Sequence, residues 1–159
     1  MKLPVAALIA TLALLSACAD KPADTSGAGT GGGSSLSPTG GAGTQDDLVA
    51  NVGDRVFYAL DSSSLSAEGR ATLERQSSWL GRFPQVSVQV AGNCDERGTT
   101  EYNLALGQRR ANTSRDYLVA RGVSSARITT ISYGKERPTA VGSDEQAYAQ
   151  NRNATTSVR

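Results

Sequence analysis

Four stretches of the chain read as strands and three as helices, and two of the helices repeat apolar residues at helical spacing. Residues 55–60, Arg-Val-Phe-Tyr-Ala-Leu, are rich in β-branched and aromatic side chains and predict a first strand. Asp61-Ser62-Ser63-Ser64 interrupts it. Leu65 and Ser66 then have the form of a hydrophobic staple and an N-cap, with Glu68 in the first turn. A helix over residues 67–82 places Leu73, Trp79, Leu80 and Phe83 on one broad face, and Pro84 stops it. Residues 86–90, Val-Ser-Val-Gln-Val, alternate strictly and predict a half-buried strand that Gly92 ends. A second helix is expected over 101–121, with Leu104, Ala111 and Leu118 at seven-residue spacing as its buried stripe. Gly122 is a natural residue to end it, ahead of apolar Val123. Residues 128–133 predict a third strand, 144–151 a short helix and 154–159 a weak last strand. Residues 46–53 form a short turn of helix or an arm.

The order β-α-β-α-β-(α)-β predicts one α/β domain over residues 46–159. Two βα units lie on one sheet with the helices on one face, an α+β sandwich, and crossovers between parallel strands should be right-handed. The chain ahead of it has a different character. Lys2 precedes about 13 almost wholly apolar residues, too short a run to span a membrane and of the length of a signal sequence. Leu15-Ser16-Ala17-Cys18 resembles the bacterial lipobox. That implies removal of residues 1–17, lipidation of Cys18 and, with Ala19 rather than Asp next to it, export to the outer membrane. Each buried methylene of the acyl chains adds about 0.8 kcal/mol of anchoring. The rest of residues 18–45 is dominated by Gly, Ala, Ser, Thr and Pro, which cannot bury enough apolar area to order itself. Such a tether has an r.m.s. span of roughly 28 Å.

Charge and composition narrow the chemistry. The chain has 16 Lys and Arg against 15 Asp and Glu, and losing residues 1–17 takes Lys2 and no acid. A balanced chain has no global field to recruit nucleic acid, so no nucleic-acid partner is expected. It has no histidine, which removes Ser-His and Cys-His hydrolase chemistry and histidine-rich metal sites. No cofactor or metal is expected. Cys18 and Cys94 stand in contexts too different to pair. Cys94 reads as a small, partly buried residue at a strand end, with redox chemistry as the alternative. Trp79 and Tyr117 read as packing residues.

The candidate chemistry is concentrated in residues 92–111, which hold Asp95, Glu96, Arg97, Glu101, Asn103, Arg109 and Arg110. At about 100° per residue, Asn103, Leu106 and Arg110 share one face of the second helix, beside its buried stripe. Asp95 follows the second strand and Asp61 the first. If these strands are parallel neighbours, both carboxylates lie at one sheet edge, which Arg110 can face. Such a pocket suits a zwitterion: Asp95 accepts from an ammonium, and Arg110 grips a carboxylate in a two-point fork that lysine matches poorly. Asn103 can serve either group, and Leu106 packs the aliphatic part. Arg110→Lys should then weaken binding without loss of stability. On the residues alone an equal alternative stands, in which Asp95 and Arg110 pair with each other and pin the loop to the helix. Glu96 and Arg97 would pair locally, Arg109 would be solvated, Glu101 would serve the helix N-terminus and Gly98 would supply a special backbone angle. Asp95 and Glu96 diverge in an extended segment and make no acid/base pair, so an enzyme is not expected.

The segments NCDERGTTEYNLALGQRRA, YLVARGV and SYGKERP give residues 50–159 a specific resemblance to the OmpA-like peptidoglycan-binding family, and to its lipoprotein members. The resemblance implies helices packed on one face of a mixed four-stranded sheet. It implies non-covalent binding of peptidoglycan through the diaminopimelate of the stem peptide. By position, Asp95 matches the acid that holds the ligand ammonium and Arg110 the base that holds its carboxylate. Asp61, Asn103 and Leu106 match pocket residues, and Arg152 matches the first arginine of an Asn-Arg-Arg motif. It also implies a periplasm-facing place in the Tol–Pal system, with TolB as partner and TolA or other OmpA-like envelope proteins as further ones. This chain departs from the pattern at Asn93, where many members have His, and at Leu60, where some have Phe, which weakens stacking beside the pocket. Asn153 replaces the second arginine, a change expected at the pocket rim.

Overall fold

The computed structural model of the chain describes residues 41–159, so the expected signal segment, Cys18 and the tether up to residue 40 lie outside it. The elements are α1 (Gln45–Asp47), which runs into a π-helical turn (Leu48–Val52), then β1 (Arg55–Phe57) and α2 (Ala67–Arg82). After them come β2 (Val88–Asn93), α3 (Thr100–Ala120), a 3-10 turn (Ser125–Arg127), β3 (Ile128–Gly134), α4 (Glu145–Asn151) and β4 (Asn153–Val158). The sheet order is β1-β4-β2-β3, with β4 antiparallel to both neighbours and β2 parallel to β3. This is the expected mixed four-stranded α/β sheet. β1 and β2 are not neighbours, however, because the end of the chain inserts between them. Both run antiparallel to β4 and therefore share a direction, so Asp61 and Asp95 still leave the sheet at the same edge.

Local signals place the helix ends. Ser66 Oγ accepts from Gly69 N and caps α2, and Leu65 packs on the core behind it. Thr99 Oγ1 accepts from Tyr102 N and caps α3, and Gly122, at φ 93°, ends it. Leu73, Trp79 and Leu80 are buried, as their spacing predicts. β1 stops at Phe57 rather than Leu60. Beyond it Tyr58 N donates to Arg152 O, and the chain turns out of the sheet over α3.

The sheet face under the helices steps down in bulk toward one edge. Val88 lies opposite Ile128 and Val158, Val90 opposite Thr130 and Thr156, and Gly92 opposite Ser132 and Ala154. The last step is where α3 descends: a Cβ on Gly107 would lie 2.8 Å from Gly92 O. Gly92 therefore does not end the strand, as its residue type implied. It is the seat of the helix, and β2 runs on to Asn93. This seating also rolls α3. Its buried side is Asn103, Leu106, Gly107, Arg110, Ala111, Ser114 and Leu118, while Leu104 is 40% exposed and not part of the core. Polar side chains tie the layers: Tyr58 Oη donates to Arg110 O and bonds Ser114 Oγ, and buried Gln76 links Gly53 O to Thr156 Oγ1. Arg127 donates to the carbonyls of Leu80, Phe83 and Val86 and holds the end of α2.

The α1 segment and the turn after it pack Leu48 into the core and fix Trp79, whose Nε1 donates to Asp47 Oδ2. Gly43 N, Trp79 Nε1 and Asn51 Nδ2 all donate to Asp47, and together they lower its pKa from 3.8 to about 2. A lowered folded pKa stabilises the fold above the ordinary value and is lost as pH falls through the folded one. Thermal melts of the wild type should therefore fall between about pH 4 and pH 2, and more steeply than those of Asp47→Asn. Equal slopes would remove Asp47 from the acid response.

Candidate ligand-binding site

The C-terminal ends of β1 and β2, the start of α3 and the α4–β4 junction surround a cavity of about 280 Å³. This lies at the small end of ligand pockets, near the roughly 300 Å³ where they begin. Asp61, Asp95, Asn103, Leu106, Arg110 and Arg152 all line it, together with Leu60, Cys94, Arg97, Gly98 and Tyr102. Asp61 stands at the mouth in a left-handed conformation, φ 52°, which Asp tolerates better than most residues. The Tyr102 hydroxyl donates to its carboxylate. Leu60 is 58% exposed beside it. Leu106 is buried and supplies the apolar floor.

Arg110 has no exposed surface. Its Nε donates to Ser62 O at 2.8 Å, Nη1 to Asn93 O at 2.8 Å and Cys94 Sγ at 3.4 Å, and Nη2 to Ala59 O at 3.0 Å. Four of its five N–H groups are thus committed within the protein. The expected two-point fork is not available in this arrangement. What Arg110 offers the cavity is a fixed charge behind its wall. Burial lowers its pKa, opposed by Cys94, Tyr58 and Asp95, and a guanidinium stays protonated nonetheless. Among the described residues no carboxylate pairs with it.

The Asp95–Arg110 brace is accordingly absent. Asp95 is buried, and its Oδ2 accepts from Arg97 Nη2 at 2.6 Å and Arg152 Nη1 at 3.2 Å. Burial raises its pKa, but the hydrogen bonds from Arg97 and Arg152 outweigh it and leave the carboxyl below its ordinary value. Arg152 is held in turn by Tyr58 O and Glu145 Oε1. Glu96 and Arg97 do not pair with each other. Tyr148 Oη donates to Glu96, while Arg97 lies over the Tyr148 ring at 4.4 Å. Asn103 Nδ2 donates to Arg97 O at 2.7 Å and Thr99 O at 3.2 Å, which closes the loop around Gly98 at φ 89°. Its Oδ1 takes no hydrogen bond among the described residues.

Residues 57–152 match the model of the OmpA family, a span that contains every residue of this cavity. The chain belongs to the OmpA family. It is 50% identical over 153 residues to the peptidoglycan-associated lipoprotein of Rhizobium meliloti, an overlap of 94% of this chain and 84% of that one. It is 41% identical over 156 residues to the protein of the same name from Pseudomonas aeruginosa, covering 92% and 91% of the two chains. The crystal structure of the peptidoglycan-associated lipoprotein from Burkholderia pseudomallei superposes with a TM-score of 0.65 at 42% identity, over 67% of this chain and 90% of that one.

Within this OmpA-family domain the departures at Asn93 and Asn153 prove to touch. Asn93 Nδ2 donates to Asn153 Oδ1 at 2.8 Å, and Asn153 Nδ2 donates to Gln150 O. Asn153 is fully buried and does not line the cavity, so its expected place at the rim is corrected: its side chain is taken up by Asn93, Thr139, Gln150 and Thr155. Cys94 is a free, buried thiol whose pKa burial raises, which keeps it protonated and unreactive. Sequence reasoning missed Tyr102 and misread Arg97. Tyr102 precedes Asn103 on α3, and its spacing of four from Leu106 was the available signal. Arg97 sits in a loop, where no periodicity points to a partner.

Proposed function

We propose that the chain is an outer-membrane lipoprotein, anchored through lipid (palmitate among the acyl chains) on Cys18, whose OmpA-family domain holds peptidoglycan without a covalent bond. The ligand is the diaminopimelate of the stem peptide, a residue with an ammonium and a carboxylate at its free end. One observation carries this reading: a small cavity sets a buried guanidinium that has no carboxylate partner among the described residues, Arg110, across from a buried carboxylate, Asp95. The carboxylate end of the ligand is drawn to the charge of Arg110. The ammonium end pairs with Asp95, with Asn103 Oδ1 and Asp61 as further acceptors, Leu106 against the methylene chain and Arg152 bracing Asp95 from behind. The names of the relatives, which join peptidoglycan to a lipoprotein, support the same reading. It extends to a periplasm-facing place in the Tol–Pal system, with TolB and TolA as partners in envelope integrity and cell division.

This is a binding module rather than an enzyme. Asp95 is ionised at neutral pH and engaged by two guanidiniums, so it has no proton to give and is poorly placed to take one. The test is sedimentation with purified sacculi. Wild type should pellet with them, and Asp95→Asn, which keeps the shape but removes the charge, should bind about tenfold more weakly, the scale of one charge-assisted hydrogen bond. A folded Asp95→Asn that pellets like wild type would remove the ligand role. Muropeptides released by pure protein would point to catalysis, and a folded wild type that stays in the supernatant would leave a purely structural lipoprotein.

A further inference from the structure

We infer that Arg97 is the resident occupant of the cavity's cation subsite: its guanidinium holds the place on Asp95 that a ligand ammonium takes, and it withdraws to Glu145 and Tyr148 as the ligand enters. This rests on the reading of the cavity as a site for a zwitterion. Two guanidiniums converge on one oxygen of Asp95, and they are held very differently. Arg152 has a side chain only 9% exposed and is fixed by Tyr58 O and Glu145 Oε1 as well as by Asp95. Arg97 is 40% exposed and makes the shorter contact, 2.6 Å, from the open side. It is the one a solute can reach and displace.

The surroundings give Arg97 somewhere to go. Its Nη1 already lies 3.6 Å from Glu145 Oε2, beyond hydrogen-bond distance, and its guanidinium carbon lies 4.4 Å from the Tyr148 ring centroid. A swing away from Asp95 lets it close on an exposed carboxylate and keep its cation–π contact. The backbone need not move. Arg97 O stays bound to Asn103 Nδ2, Gly98 O to Lys135 Nζ and Arg97 N to Asp95 Oδ1. Asp95 is never left as an unpaired buried charge, because one cation replaces another. Arg97 therefore competes with the ligand and keeps its hold weaker and more reversible than the pocket alone would give.

The test is calorimetric titration of wild type, Arg97→Ala and Arg97→Gln with the synthetic tripeptide L-Ala-γ-D-Glu-meso-diaminopimelate, and with the same peptide acetylated on its free side-chain amine. Both variants should bind the free-amine peptide about fivefold more tightly than wild type, the worth of a half-exposed ion pair. Their affinity for the acetylated peptide should change less than about twofold. Weaker binding of the free-amine peptide by both variants would overturn the exchange and make Arg97 a direct ligand contact or a strut of the loop. Equal tightening for both peptides would overturn it too, since it would mark a more open mouth rather than a freed cation subsite. No binding by any of the three folded proteins would overturn the reading of the cavity itself, and the exchange with it.

Discussion

Replacing Arg110 by lysine should destabilise the domain by about 2–4 kcal/mol and strongly weaken its retention on sacculi, although the charge is conserved. Considered on the helix wheel alone, the change should spare stability. The structure reverses that expectation, because the guanidinium is first of all a structural hub. It reaches Ser62 O, Ala59 O and Asn93 O from three different nitrogens, and so joins the loop after β1 to the end of β2. An ammonium radiates its donors from a single point and cannot span these carbonyls. One or two of them would be left buried without a partner, at about 1–3 kcal/mol each. The loop they hold carries Leu60 and Asp61, so the wall of the cavity loosens with it. Urea denaturation would show a lower midpoint at an unchanged slope. A lysine variant as stable as wild type would show that the three carbonyls do not depend on Arg110. If it also bound sacculi normally, the charge at position 110, and not the geometry of the guanidinium, would be what the site requires.

That reversal marks where reasoning from the chain alone reached its limit. Features set by near neighbours were legible: the Ser66 cap, the Gly122 stop, the alternation through Val88 and Val90, and the common face of Asn103, Leu106 and Arg110. The candidate residues assemble around one cavity because those at the strand ends and those on one helix face are placed by local rules. Features set by distant partners were not legible. The insertion of β4 between β1 and β2 depends on the last residues of the chain, and no spacing near Asp61 or Asp95 reports it. Nor does any local pattern show that Asp95 pairs with Arg152, 57 positions on, rather than with Arg110. Leu104 misled because a seven-residue repeat assumes that bulky residues make the seam of α3. Here much of the seam is made by glycine, serine, asparagine and arginine, since the sheet beneath is small-sided and polar at that step. Gly92 misled in the same way: a residue type that often ends strands is used inside one for close approach.

Gly92→Ala should therefore cost about 3 kcal/mol or more and reduce sacculus binding together with stability. The added methyl would fall within 2.5 Å of the Gly107 carbonyl carbon and 3.0 Å of its Cα. These are backbone atoms of a helix, so no rotamer change relieves the clash. α3 has to rise from β2 as a body, and it carries Asn103, Leu106 and Arg110 with it. Arg110 would then be drawn from the carbonyls of the β1–α2 loop and of Asn93, which couples the packing defect to the cavity. Gly81→Ala provides the contrast. Gly81 lies in α2, and a methyl added there would meet no atom within 4 Å, so alanine should stabilise by about 0.5–1 kcal/mol through helix propensity. Chemical denaturation of the two variants beside wild type separates the effect of contact from the effect of glycine itself. If Gly92→Ala unfolds within about 1 kcal/mol of wild type, α3 does not rest on β2 at this point, and the close approach of Gly92 and Gly107 cannot be what brings the helix face to the cavity.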